Sequence, residues 1–280
     1  TLAAGRLLGL DSSQLRHALG LCGTRASGLT SQFGSMGKPY NAGIAAANGV
    51  ECATLAGLGF TSADDGLMGH QGFVGAHLPG GGAVTGPDLA LDSYKFPDNK
   101  YKLHACCHGL HPMIEALQAS EAAAGVPLDD IKSFSLSTNP RWLAVCDIKR
   151  PRTGLEVKFS YNWLAGMTLR GDNTGDDRLF TDTIAGEAEL GRFAERISVT
   201  GDDQLTDLQA RGEISLTDGR AIPVWFDLAD PFAPEALAEK LQRKSSTIIG
   251  DAGAAIWDLH PRLGQLGARD IASAMLTASA

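Results

Sequence analysis

The sequence predicts an α+β protein: an all-α helical domain interrupted by a smaller α+β domain. Three observations predict it. Helical periodicity dominates the chain up to Leu58. Period-two alternation first appears at Ile131 and recurs as far as Leu228, as strands with one buried face require. Helical patterns then resume at Pro234 and run to the end. The expected boundaries are 1–90 together with 245–280 for the helical domain, and 91–244 for the α+β domain.

Each element has a local reason. Thr1 to Leu10 reads as a helix already in progress, with Leu at 2, 7, 8 and 10 and no N-cap before it. Together with the missing initial Met, this creates the expectation of an absent N-terminal segment. Asp11 and Gln14 form a capping box, and Leu15, Ala18, Leu19 and Cys22 make the stripe that follows. A Gly/Ser-rich break covers Gly28 to Pro39. Asn41 to Leu58 is almost entirely small and apolar, which predicts a closely packed interior helix. Short helices and loops are expected from Gly59 to Gly86, and a linker from Pro79 to Pro97.

Beyond the linker, Pro112 to Ala124 is helical and ends at Gly125. Ile131 to Ser137 alternates as a strand, and Ser160 N-caps a helix to Leu169. Glu187 to Phe193 is helical and Arg196 to Thr200 is a strand. Asp218-Gly219 joins Leu208–Leu216 to Arg220–Leu228 as a hairpin. Helices follow at Pro234 to Arg243, Gly253 to Leu263 and Ala268 to Thr277, the first with proline in its opening turn.

Composition excludes several classes. The 280 residues are 44% hydrophobic and 20% charged, a globular balance rather than a disordered one. A net charge of −8 argues against nucleic acid as a partner, but not against a small anion drawn to a few local lysines. No apolar run reaches the ~20 residues of a membrane span. Five cysteines, an odd number, make no disulfide framework. With no secretion signal in view, a cytoplasmic protein is expected.

Two segments carry candidate chemistry. In Gly34-Ser-Met-Gly37-Lys38-Pro39 a lysine sits on a glycine-rich turn ahead of a helix expected near Asn41. The glycine spacing and Pro39 fail the nucleotide-loop pattern, but a lysine at a helix N-terminus suits a carboxylate. A solvated loop lysine is the plain alternative. In Tyr101-Lys102-Leu-His104-Ala-Cys106-Cys107-His108-Gly-Leu-His111-Pro112, three histidines and two cysteines fall within eight residues. Zinc would need a second ligand pair elsewhere, and none is evident. Lys102 and His111 could instead supply a cation and an acid/base group, or the histidines could be a buried structural cluster. Around Ser160 there is no nucleophile elbow, and Tyr161 and Trp163 read as core.

The runs Ala18 to Gly28, Phe33 to Pro39, Ala42-Gly43 and Ala46 to Gly49 resemble the MmgE/PrpD family, which includes 2-methylcitrate dehydratase, cis-aconitate decarboxylase and iminodisuccinate epimerase. Lys102, Cys107 and His111 match a second family block, and Lys158-Phe-Ser160 a third. The resemblance implies a homodimer and cofactor-free carbanion chemistry on a small di- or tricarboxylate: dehydration, decarboxylation or epimerisation. It assigns Lys38, Lys102 and His111 as catalytic, with Lys38, Lys102 and Ser160 binding substrate. It also implies further Asp and His active-site residues in an N-terminal part before Thr1, so that the chain alone would be an incomplete lyase or isomerase. At Trp163 the chain departs from a frequent family tyrosine. The alternatives are a non-catalytic remnant or partner subunit that binds an anion or another chain, and a zinc module spanning His104 to His111.

Overall fold

The computed structural model describes residues 1–69, 71–78 and 99–278. The linker expected at Pro79 to Pro97 lies outside these. The chain divides into two compact units, 1–99 and 100–280. The C-terminal helices belong to the second unit; the discontinuous helical domain stays an expectation of the sequence.

The first unit is helical. Helix α1 (Leu2–Leu7) is followed by α2 (Ser12–Thr24). The Asp11 carboxylate accepts from the Gln14 N–H and the Gln14 side chain accepts from the Asp11 N–H, the expected capping box. Helix α3 (Gly37–Gly57) starts four residues earlier than the sequence suggests, so Lys38 lies in its first turn. The preceding turn tightens through Gly34, whose φ of 86° favours glycine. Helix α3 packs on α1 and α2, burying Asn48, Gly49, Cys52, Ala53 and Ala56. It is not the interior helix expected: Tyr40, Val50 and Leu58 are exposed. A short helix, α4 (Phe73–His77), follows.

The second unit is built on a four-stranded sheet ordered β2-β1-β3-β4. Its strands are β1 (Ile131–Thr138), β2 (Ile197–Gly201), β3 (Gln209–Leu216) and β4 (Ala221–Asp227). The β1–β2 pair is parallel. The crossover it requires is supplied by α6 (Pro140–Cys146), α7 (Gly154–Val157), α8 (Tyr161–Arg170), α9 (Asp182–Ala185) and α10 (Ala188–Ala194). Strands β3 and β4 form the expected hairpin on Asp218-Gly219, with φ +92° at Gly219.

Helix α5 (His111–Ala119) lies on β3 and β4 and packs against α8. It stops short of the expected Ala124: a separate 3-10 turn, Glu121–Ala124, carries the chain to Gly125. The core is one cluster centred on Leu110, Met113, Ile114, Leu117, Phe134, Tyr161, Leu164 and Phe193. Helices α11 (Pro234–Ile249), α12 (Asp251–Trp257) and α13 (Ala268–Ala278) close the chain. Among the described residues no helix is long and apolar enough to cross a membrane.

Candidate functional site

The histidine-rich segment is an irregular strap tied to its surroundings at several points. The Ala105 N–H donates to the Thr174 carbonyl at 2.8 Å, and the Cys107 N–H to the Lys158 carbonyl at 3.0 Å. The Tyr161 hydroxyl donates to the Gly109 carbonyl at 2.9 Å. Gly109 lies so close to the Trp142 ring that a Cβ would collide with it. These ties bring the second and third sequence blocks together: 102–111 rests on 158–161.

Inside the strap is a buried relay of polar groups. The Glu115 carboxylate, on α5, is 3.1 Å from His104 Nε2 and 2.9 Å from Lys240 Nζ. His104 Nδ1 is 2.7 Å from the Thr174 hydroxyl. An ionised carboxylate only accepts, so Nε2 carries the proton, and the Thr174 hydroxyl donates to Nδ1. Burial would raise the Glu115 pKa, but the hydrogen bonds and charge of His104 and Lys240 more than offset it and hold it below the usual range. Burial likewise pushes His104 down, so its ring is neutral.

His111 lies beyond this relay. Its ring meets that of His104 edge-on at 5.0 Å and that of His108 at 4.9 Å. It is fully buried, and neither ring nitrogen has a hydrogen-bond partner among the described residues. Burial, aided by the neighbouring histidines and Lys102, pulls its pKa down to about 2. The ring is a neutral polar group with unused donor and acceptor capacity, a costly arrangement in a core.

The other assigned residues have definite places. Lys102 is exposed, and its ammonium donates to the Cys106 carbonyl at 2.7 Å. Ser160 is fully buried and its hydroxyl accepts from the Trp163 N–H at 3.2 Å, the expected N-cap of α8. Tyr161 and Trp163 are buried in the core, as expected. Lys38 belongs to the first unit, where its ammonium lies 5.0 Å from the Phe33 ring centroid. The zinc reading finds no support: among the described residues no group of three or more His, Cys, Asp or Glu is placed to hold a metal ion. The histidines touch ring to ring instead of converging their nitrogens.

Glu115, Thr174 and Lys240 were not legible as site residues. Glu115 had one signal, a lone carboxylate within the apolar run Met113 to Leu117. Thr174 and Lys240 reach His104 and Glu115 only through tertiary contacts.

Comparison with known proteins adds three findings. Residues 1–84 match the MmgE/PrpD N-terminal domain and residues 104–260 the MmgE/PrpD C-terminal domain. The chain is 33% identical over 128 residues to cis-aconitate decarboxylase of Aspergillus terreus, covering 42% of this chain and 26% of that protein. The counterpart from strain NIH 2624 / FGSC A1156 matches to the same extent. The chain thus aligns with about a quarter of the length of these relatives.

Proposed function

The chain belongs to the MmgE/PrpD family, and from that premise we propose that it acts as a lyase or isomerase on a small di- or tricarboxylate. Family membership and the similarity to cis-aconitate decarboxylase support the lyase class. The observation that carries the reading is His111: fully buried, neutral, and with both nitrogens unused among the described residues. Such a ring is poised for a polar ligand rather than for packing.

In this reading Lys38 and Lys102 bind substrate carboxylates and stabilise the carbanion formed beside one of them. His111 assists by orienting the substrate through its ring nitrogens or by passing a proton to the carbanion carbon, which forms the new C–H bond. A carboxylate placed against the ring raises its pKa from about 2, because an adjacent negative charge favours imidazolium. That rise, about one to three units, leaves the ring largely neutral at pH 7, so orienting the substrate is its main part and proton delivery the lesser one. Ser160 contributes through its hold on α8, and homodimerisation accompanies the activity.

The test is calorimetric titration of the chain with cis-aconitate and other tricarboxylates, alongside assays for carbon dioxide release and for hydration products. Binding is expected, and Lys102→Ala and His111→Ala are each expected to weaken it by about tenfold or more. Equal affinity in both variants and the unaltered chain would sink this reading.

A second reading has its own observation. Met36, Tyr40 and Leu58 of the first unit are 78%, 66% and 80% exposed, and large apolar side chains left in water favour contact with another chain. A non-catalytic subunit that binds another chain would use these side chains. Stoichiometric complex formation without any polycarboxylate binding would favour it.

A further inference from the structure

A polar cavity, of about 80 Å³, opens beside the buried relay in the second unit. Its walls include His104, Glu115, Thr174, Lys240, Arg243 and Lys244. None of Lys38, Lys102, His111 or Ser160 lines it, so it is separate from the residues assigned to the polycarboxylate. Three of the lining groups are cations and one is a carboxylate. In a chain whose net charge is −8, this is a local inversion of sign.

The single carboxylate is fully engaged. Glu115 already receives Lys240 at 2.9 Å and His104 at 3.1 Å. Arg243 pairs with Glu239 on the exposed side of α11, where such a pair contributes little. Lys244 has no carboxylate within ion-pair distance among the described residues; its ammonium donates to the Lys102 carbonyl. Burial and the nearby Lys102 both disfavour its charge. Asp177 offsets this only in part; positive charge partly removed from water is unfavourable, and a bound anion would reduce that cost.

Size and geometry narrow the ligand. Cavities for nucleotides and drug-sized molecules run to roughly 300–1,000 Å³, so this one is too small for them. It has room for several waters or one compact oxyanion. Lys240 and Lys244 lie one helical turn apart on α11, which puts both ammonium groups on one face, with Arg243 beside them. We propose that this cavity is a binding site for a small oxyanion, phosphate or a short carboxylate, held by Lys244 and Arg243 and backed by the Lys240–Glu115–His104 relay.

Binding there has a mechanical consequence. Lys244 would turn from the Lys102 carbonyl toward the anion, which releases one tie on the strap that carries Lys102. The cavity thus touches the candidate catalytic strap both through Leu103 and His104 in its wall and through the Lys102 carbonyl that Lys244 holds.

The experiment is titration of the full chain with inorganic phosphate and, separately, with acetate and malonate. Calorimetry and thermal unfolding would be followed at constant ionic strength set with chloride. Saturable binding of phosphate or of a carboxylate is expected, and the arm that saturates identifies the class. Lys244→Met and Arg243→Met should each weaken it by about tenfold, while Lys149→Met, outside the cavity, should not. Arg243 is exposed, so that variant tests the site even if Lys244→Met disturbs folding. No saturation in any arm, or affinity unchanged in both cavity variants, would overturn the proposal. Loss of tricarboxylate binding in Lys102→Ala with phosphate binding intact would separate this site from the catalytic reading.

Discussion

At the scale of the residue, His104 and His111 set how the protein responds to acid. Both are buried, and both have pKa values pushed below the ordinary imidazole range, His111 to about 2. In the unfolded chain each titrates near roughly 6.5. Below that pH the unfolded state therefore binds more protons than the folded state, and stability falls as pH falls. The contribution is fully present above about pH 6.5 and is lost progressively below it, with a slope approaching roughly 1.4 kcal/mol per pH unit per histidine. Glu115 acts in the same direction at lower pH, since its folded pKa is depressed. Denaturant unfolding at pH 7.5 and 5.5 (about one unit to either side of the transition) should show the loss. His111→Leu, close in volume and without ring nitrogens, should reduce that slope by about one histidine's share while holding neutral-pH stability within about 1 kcal/mol. A slope identical to that of the unaltered chain would show that His111 does not titrate as its burial dictates.

The element scale separates what a side chain does for a helix from what it does for a ligand. Ser160 caps α8, the helix whose Tyr161 ties the strap at Gly109. Ser160→Ala should cost about 1 kcal/mol of stability, the ordinary cost of a lost N-cap, read as a shift in denaturant midpoint. If polycarboxylate affinity falls by more than that shift explains, Ser160 has a direct role as well. The elements legible in the sequence were those with strong local signals: the Asp11 capping box, the Ser160 cap, the alternating strand at Ile131 and the Asp218-Gly219 hairpin. Helices α6, α7 and α9 were not, because each is short and is fixed by tertiary contact more than by periodicity. Helix α3 was found but misplaced in burial: an Ala-rich pattern states that close packing is possible, not that a partner lies on every side. The candidate site divides the same way. Lys102 and His111 share a segment with an unusual run of His and Cys. The Thr174–His104–Glu115–Lys240 relay spans four separate segments, and no local pattern announces a contact across that distance.

At the scale of the whole molecule, the two units differ in what they bury. The continuous core runs from Cys106 to Val224 and contains Phe134, Tyr161, Trp163 and Phe193. In the first unit the buried apolar residues among those described are Ala18, Cys52, Ala53 and Ala56. Side chains of that size remove little apolar area from water, and burial is worth only about 25 cal/mol per Å². The first unit is therefore expected to unfold before the second. Hydrogen exchange should protect the amides of β1, β3, α5 and α8 more strongly than those of α2 and α3, in line with separate cooperative units. If a partner covers the exposed side chains of Tyr40, Val50 and Leu58, stability depends on its concentration. Such a partner binds the folded first unit and not the unfolded chain, so mass action raises the stability of that unit alone. If the partner is a second copy of the chain, the lower-temperature step should move upward with protein concentration while the upper step stays fixed. Tyr40→Lys should reduce the movement, because a charge placed within an apolar contact must be desolvated without compensation. Two steps that are both independent of concentration would leave these side chains without a second copy. A single step with uniform protection would overturn the expectation of two separate cooperative units.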